Sequence, residues 1–335
     1  VHPVTLVFED GRAVRILAAE KDSVAMAALR QKVRLATDCL EGTCATCKAR
    51  CVEGRYRLGD HAEEALSPAE EAAGWVLTCQ MHVQGPCVVE VGYDSRLALA
   101  RRPPEERQAR VAAVDRVSAT VVRLELALET AVDFLPGQYV NLTVPGTEAR
   151  RSYSFANPAR DGARPEFFVR LLPGGVMSDW VSGAARPGDP IVMTGPFGRF
   201  YLRPPRRPIL MVAGGTGLAP ILSMLDELAA RAAPVPVRLL YGVNEPAEAF
   251  GNARLEAAGA AGVDLAVERA AVRPGPGWTG AAGLVTQLLR PEQLHGGDVD
   301  VYLCGPPPMI EAAEGWLAAR GIAPGRIFAE RFLPS

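Results

Sequence analysis

Residues 38–47 read Asp38-Cys39-Leu40-Glu41-Gly42-Thr43-Cys44-Ala45-Thr46-Cys47, and Cys79 follows after a gap of 31 residues. A C-x4-C-x2-C run with a distant fourth cysteine is the plant-type spacing for a [2Fe-2S] cluster. Three thiols within nine residues cannot all be comfortable as free buried cysteines, and the residues between them are polar and Gly-containing rather than core-like. A shared metal site explains the crowding. Zinc would also accept four thiolates, but structural zinc sites usually bring two short C-x2–4-C pairs, and only Cys44 and Cys47 form one. Disulfides suit small secreted scaffolds, whereas this chain has 7 cysteines in 335 residues, an odd number. Cys51 would complete a compact cubane-type run only if the first gap were two residues. The x4 gap leaves Cys51, Cys87 and Cys304 outside the set.

Working outward, residues 4–19 (VTLVFEDGRAVRILAA) predict two strands around Asp10-Gly11, a tight-turn dipeptide. A short helix is expected from Ser23 to Lys32, with Ser23 as N-cap. After the cysteine loop, VVEVGY returns as a strand ending near Tyr93. Hairpin, helix, cysteine loop and returning strand suit a small β-grasp-like ferredoxin.

The chain is long for one core, and roughly 150 residues per domain predicts two or three domains. Residues 96–107 (RLALARRPPEER), charged and carrying Pro103-Pro104, read as a linker. TVVRLELAL, YVNLTV, EFFVRLL and DPIVMTG are strand-length and punctuated by Pro and Gly, which predicts an antiparallel barrel or sandwich. From Pro208 the texture changes to strand–helix alternation: PILMVAGG, PILSMLDELAARA, VRLLYGV, VDVYLCG and MIEAAEGWLAARG. That order predicts an open parallel sheet.

Composition is that of a globular protein, with 48% hydrophobic residues, 22% charged and a net charge of −2. Nothing in it points to nucleic acid or an acidic membrane surface. No basic segment precedes an apolar run at the start, and no stretch of about 18 apolar residues occurs. The expectation is therefore a cytoplasmic protein without a membrane span, in a reducing compartment that suits an exposed cluster.

Two further segments carry binding chemistry. A strand running into Gly214-Gly215-Thr216-Gly217 and then a helix would let the backbone approach a pyrophosphate, with side chains excluded by the glycines. Glu245 is the candidate ribose-binding acid, an exposed loop glutamate being the equal alternative. Strand alternation in Arg151-Ser152-Tyr153-Ser154 would put Arg151 and Tyr153 on one face, where the ring could stack on a flavin and the guanidinium bind its phosphates. A solvated β-edge with a half-buried tyrosine is the bland alternative.

Taken in order, DCLEGTCATC with Cys79, RSYSFAN, LLPGGVMSDWV, GPFGRFYLR, MVAGGTGLAP, VYLCGPPPM and FAERF make the whole chain resemble the reductase components of aromatic-ring dioxygenases, most closely the benzoate, toluate and anthranilate 1,2-dioxygenase type. The resemblance implies a ferredoxin domain at 1–96, a linker at 97–106, an FAD-binding antiparallel barrel at 107–205 and an NAD(H)-binding parallel-sheet domain at 206–335. Cys39, Cys44, Cys47 and Cys79 would bind the cluster. Arg151 would meet the FAD pyrophosphate, Tyr153 the isoalloxazine and ribityl chain, and Ser154 would lie near flavin N5, with Ser152 in the same motif. Gly174, Gly175, Val176, Met177 and Ser178 would hold the pyrophosphate through backbone amides and the Ser178 hydroxyl. Gly214, Gly215, Thr216 and Gly217 would receive NADH. Cys304, Gly305 and Pro306 would flank the nicotinamide, and Glu330 and Phe332 match an E-x-F end whose aromatic covers the flavin. Ser154, Cys304, Glu330 and Phe332 are thus the implied catalytic set.

Ala45 departs from the pattern where the cluster loop often has glycine, which narrows the conformations allowed there. Pro246 stands where close relatives can carry an acid, so a preference for NADH rests on the resemblance and on the lack of an obvious arginine pair for a 2′-phosphate. NADH gives a hydride and the cluster accepts single electrons, so the expected path is NADH to FAD to [2Fe-2S]. The implied partner is a terminal oxygenase with a Rieske centre and mononuclear non-haem iron. With 14 acidic and 11 basic residues in 1–96, its docking face would be only mildly acidic. A diiron monooxygenase or cytochrome P450 partner is the alternative. A redox sensor needs no hydride site, a flavin-releasing reductase needs no cluster, and a self-contained chain leans towards a monomer.

Overall fold

The computed structural model describes residues 1–99 and 104–332, with Arg96 described by its backbone only. The chain divides into two compact units, Val1–Pro104 with Phe197–Arg199, and Glu105–Pro196 with Phe200–Ser335.

In the first unit, strands β1 (His2–Phe8) and β2 (Ala13–Ala18) pair antiparallel. Their turn closes by the Gly11 N–H donating to the Phe8 carbonyl, with Gly11 at φ +80°, where a Cβ would be strained. Helix α1 (Val24–Arg30) starts at Ser23, whose hydroxyl accepts the Met26 N–H at 3.3 Å. Strand β3 (Lys48–Leu58), helix α2 (Pro68–Ala72), strands β4 (Trp75–Leu77) and β5 (Met81–Val91) and helix α3 (Ser95–Leu99) complete the unit. The sheet order is β2-β1-β5-β3-β4, with β1 and β5 parallel. This is the expected β-grasp arrangement. Of the expected linker, residues 97–99 are helical and Glu105 opens the next strand, while residues 100–103 lie outside the described residues.

The second unit begins with β6 (Glu105–Arg116), β7 (Val121–Leu128), β8 (Tyr139–Thr143), β9 (Arg150–Ser154) and β10 (Glu166–Arg170). Helix α4 (Val176–Asp179) runs into a π-turn, and β11 (Pro190–Phe197) follows. The six strands are ordered β10-β7-β6-β11-β8-β9, a nearly closed antiparallel barrel. Phe134, Phe155, Phe167, Leu124 and Leu126, each at most 1% exposed, fill it.

Strand–helix alternation then builds β12 (Ile209–Gly214), α5 (Leu218–Ala230), β13 (Val237–Val243), α6 (Asn252–Ala260), β14 (Leu265–Ala271), β15 (Ala281–Ala282), β16 (Asp300–Gly305), α7 (Pro307–Ala318) and β17 (Ile327–Arg331). All neighbours in the order β15-β14-β13-β12-β16-β17 are parallel. Burial on both faces explains the unbroken apolar runs of β12 and β16. Strands β12 and β16 are neighbours separated in sequence, so their carboxyl ends form the crevice at which such sheets bind ligands.

Candidate functional site

The four cysteines come together as two pairs. The Cys47 and Cys79 sulfurs lie 3.2 Å apart, and Cys39 and Cys44 share a hydrogen bond. Within each pair one thiol is held down and the other pushed up. The Cys44 thiol, helped by the Glu41 and Thr43 N–H groups at 3.4 Å, lowers Cys39 to about 4 against the effect of burial. Cys79 likewise lowers Cys47 to about 7, and Cys44 and Cys79 are both raised, first by their partners and then by burial. Among the described residues no three His, Cys, Asp or Glu side chains converge as one metal ion would require. Two thiol pairs instead fit a two-iron cluster, in which each iron takes two thiolates. The donor set present therefore suits the [2Fe-2S] group better than zinc.

Around the pairs the structure adds residues that the spacing alone did not point to. Thr78 is 1% exposed, and its hydroxyl has no hydrogen-bond partner although it stands close enough to Cys47 to favour the thiolate. Its backbone N–H donates to the Cys47 carbonyl at 3.1 Å, which sets that proximity. Lys48, directly after Cys47, is buried and paired with Glu70 at 2.7 Å, while Glu70 also closes the capping box of α2. Leu40 and Ala45 hold φ of +60° and +57°, so the departure at Ala45 falls where glycine would be unstrained.

The flavin motif lies on β9, paired to β8 with Leu142 opposite Arg151 and Val140 opposite Tyr153. Tyr153 packs on the barrel core, and burial pushes its phenol well up while the nearby Arg151 guanidinium pulls it down. Arg151 donates to the Arg150 carbonyl, the Ser152 hydroxyl to Asn141 Oδ1 at 2.7 Å, and Ser154 is buried. The next strand leads to the second loop, where Gly174 takes φ +70°. The Gly175 N–H donates to Leu172 O at 3.1 Å, and the Ser178 hydroxyl accepts the Leu172 N–H at 2.8 Å. Those two groups hold the loop's own shape. Val176 and Met177 open α4, where first-turn N–H groups have no intrahelical acceptor.

At the parallel sheet, Gly214 ends β12, and Gly215, Thr216 and Gly217 form a single 3-10 turn leading into α5. Two of these glycines, expected to give a pyrophosphate clearance, also have a packing reason. A Cβ on Gly217 would lie 2.1 Å from the Cys304 carbonyl oxygen, and one on Gly214 2.8 Å from Met309 Sδ. Gly305, at φ +152°, faces Gly214 in return, with a Cβ 3.1 Å from its nitrogen. The two loops are thus glycine-rich because they pack on each other. Cys304 is fully buried, and desolvation, then Glu330, push its thiol well up, so it is a neutral thiol rather than a nucleophile.

The end of the chain is placed by a strand that no sequence pattern announced. Strand β17 sets Glu330 opposite Cys304 and Arg331 opposite Gly305, and the Phe332 N–H donates to the Gly305 carbonyl at 2.9 Å. Glu245, exposed two residues beyond β13, is ion-paired to Arg273 at 3.0 Å. An arginine therefore stands beside the candidate ribose acid after all, brought there from the end of β14.

Comparison with known proteins matches residues 7–84 to the 2Fe-2S iron-sulfur cluster binding domain, 108–201 to the oxidoreductase FAD-binding domain and 211–315 to the oxidoreductase NAD-binding domain. Over 337 residues the chain is 41% identical to the toluate 1,2-dioxygenase electron transfer component of Pseudomonas putida, covering 100% of this chain and 99% of that one. It is 38% identical to the 2-halobenzoate 1,2-dioxygenase electron transfer component of Burkholderia cepacia, covering 100% and 99%. Among solved structures, a cytochrome P450 reductase of Amycolatopsis superposes with a TM-score of 0.75 at 31% identity, covering 100% of this chain and 99% of that one.

Proposed function

Because this chain belongs to the family of 1,2-dioxygenase electron transfer components, we propose that it delivers electrons from NADH to the terminal oxygenase of an aromatic-ring dioxygenase. It is an oxidoreductase with [2Fe-2S], FAD and NAD(H) domains, and it carries electrons from NADH through FAD to the cluster. When bound, the flavin supplies the conversion of a two-electron hydride donor into single-electron steps.

Cys39, Cys44, Cys47 and Cys79 hold the cluster, and the observation that carries this assignment is their gathering into two sulfur pairs. Arg151 and Tyr153 on β9, with the backbone of Val176 and Met177, bind the flavin, and Ser154 lies at its reactive edge. Ser152, Gly174, Gly175 and Ser178 shape those segments. The carboxyl ends of β12 and β16, from Gly214 to Gly217 and from Cys304 to Pro306, receive the nicotinamide nucleotide, with Glu245 on the ribose side. The Phe332 ring, tied down at Gly305, covers the flavin, and Glu330 borders the same edge. We assign the ferredoxin, linker, flavin and nucleotide segments to 1–96, 97–106, 107–205 and 206–335.

The oxygenase is of the Rieske and non-haem iron type, the reductase is a monomer, and it works in the cytoplasm. Among the described residues no helix is long and apolar enough to cross a membrane. The likeness to a P450 reductase supports the second reading, in which the acceptor is a P450 or diiron monooxygenase. Anaerobic titration of the isolated protein with NADH tests the electron path. Flavin bleaching together with a rhombic EPR signal is the expected result, and bleaching without that signal overturns the cluster assignment. Turnover with candidate oxygenases then separates the two readings of the acceptor.

A further inference from the structure

The strand that carries the flavin motif ends in a junction that the motif does not include. Two residues past Ser154, the Ala156 carbonyl accepts from Arg254 Nη2 at 2.6 Å, and the next carbonyl, that of Asn157, accepts from the Ser223 hydroxyl at 2.7 Å. Arg254 lies on α6 and Ser223 on α5. The same guanidinium donates through Nη1 to Glu166 Oε1 at 2.6 Å on β10 and through Nη2 to the Asp226 carboxylate on α5. One cation, carried on α6, thus joins the flavin barrel to α5.

The acceptors are themselves rigid. Ala156 and Ser223 have no exposed surface, and Asn157 is 7% exposed. Its side chain accepts the Glu166 N–H at 2.9 Å, and the Ala156 N–H donates to Glu166 O at 2.8 Å. Glu166 is held from the other side by Arg123 at 2.5 Å. On the nucleotide side, α5 begins directly after Gly217, so Ser223 and Asp226 sit about one and a half to two and a half turns beyond the loop assigned to NADH. Gly251 packs the start of α6 on Leu218 of α5, where a Cβ would come within 3.0 Å. Burial pushes the Asp226 carboxyl up, while Arg254 and, less strongly, Arg160 pull it down.

We propose that Arg254, assisted by Ser223, is a positioning residue for hydride transfer, holding the end of the flavin strand at a fixed distance from the helix that carries the nucleotide loop. The proposal rests on the flavin and nucleotide assignments made above. Hydride transfer demands near contact of the reacting atoms, and a displacement of about 1 Å can cost about a hundredfold in rate. Replacing Arg254 by a neutral side chain removes the cation shared by Glu166, which keeps Arg123, and Asp226. The tie between β10 and α5 that fixes the distance is lost with it. Neither Arg254 nor Ser223 belongs to the segments assigned to the flavin or NADH, so affinity for both is expected to be conserved.

The test is anaerobic stopped-flow reduction of the bound flavin by NADH, and by NADH deuterated at the transferred position, in Arg254→Gln, Arg254→Lys and Ser223→Ala. For Arg254→Gln the limiting flavin reduction rate is expected to fall at least tenfold, with the NADH concentration at half-saturation within twofold, FAD retained and a full isotope effect. Lysine keeps the charge but not the fork, and restores part of the rate. Ser223→Ala, which adds no charge imbalance, falls severalfold in the same parameter and keeps the proposal testable should the arginine variants fail to fold. Wild-type limiting rates in FAD-loaded Arg254→Gln and Ser223→Ala overturn it. A loss confined to thermal stability or FAD retention also overturns it, because the junction is then only a staple. Failure of NADH to reduce the wild-type flavin removes the underlying reading, and is distinguishable because it precedes any variant.

Discussion

The cluster loop and the nucleotide loop both bend the chain sharply, and they differ in which residues take the left-handed backbone. Beside Gly42 at φ +79°, residues 38–47 place two side-chain-bearing residues, Leu40 at φ +60° and Ala45 at φ +57°, in the left-handed region. Each costs roughly 1–2 kcal/mol there. At the sheet end, Gly215 and Gly305 take the positive φ values, and Gly214 and Gly217 make the close approaches. The first loop combines that strained backbone with three of the four thiols proposed as cluster ligands. The second is shaped by backbone packed on backbone and needs no ligand to hold it. One site gathers side chains, the other packs backbone on backbone.

The largest expected effect comes from breaking the packed site. Gly217→Ala places a Cβ 2.1 Å from the Cys304 carbonyl, where neither α5 nor β16 can yield cheaply. Overpacking of this kind costs about 1–3 kcal/mol. Flavin reduction by NADH should fall by about tenfold or more, while the EPR signal of the chemically reduced cluster stays unchanged. A fall in both would mean the two sites are not independently built.

Coenzyme choice sharpens the contrast next, since it lies at the exposed rim of the packed site. Glu245→Gln removes the partner that occupies Arg273 and leaves a guanidinium able to meet a 2′-phosphate. The ratio of kcat/KM for NADPH over NADH should rise by about tenfold, or about 1.4 kcal/mol. An unchanged ratio would place the ribose elsewhere.

In the strained loop, glycine should help. Ala45→Gly removes the left-handed cost of about 1–2 kcal/mol and adds an unfolded-state entropy cost of about 0.4–1 kcal/mol. A net gain of about 0.5–1 kcal/mol is expected in thermal unfolding of the cluster-bearing protein. A loss would show that the bound group, not the backbone, prefers alanine's restricted geometry.

The smallest effect concerns Thr78. Its orphan hydroxyl beside Cys47 can donate to a ligand sulfur, which favours the more negative reduced cluster by about 0.5–1.5 kcal/mol. Thr78→Val should lower the cluster reduction potential without destabilising the fold, because no satisfied hydrogen bond is lost. An unmoved potential would leave the hydroxyl without a role at the cluster.

Much of this was legible before any coordinates. The cysteine spacing is a covalent record of ligand geometry, and the Asp10-Gly11 turn, the Ser23 cap and the strand–helix alternation after Pro208 are local patterns that the structure keeps. The edge elements were less visible. Strands β14, β15 and β17 carry weak or short patterns, so the seat of Phe332 beside Gly305 could not be inferred from its place near the end of the chain. Arg273 and Glu245 are 28 residues apart, and no local signal links them.

The sequence by itself determined the chemistry: four thiols at a cluster's spacing, a flavin motif, two glycine-rich turns and the order of the modules. Those depend on residue type and short separations along the chain, which a sequence records directly. Only the tertiary structure decided what each residue does in place. Gly217 is glycine for Cys304, Ser178 holds its own loop, Thr78 lies buried against Cys47, and Arg254 gathers Ala156, Glu166 and Asp226. These are meetings between residues far apart in the chain, fixed by how sheets and helices pack, and packing is not written at any one position.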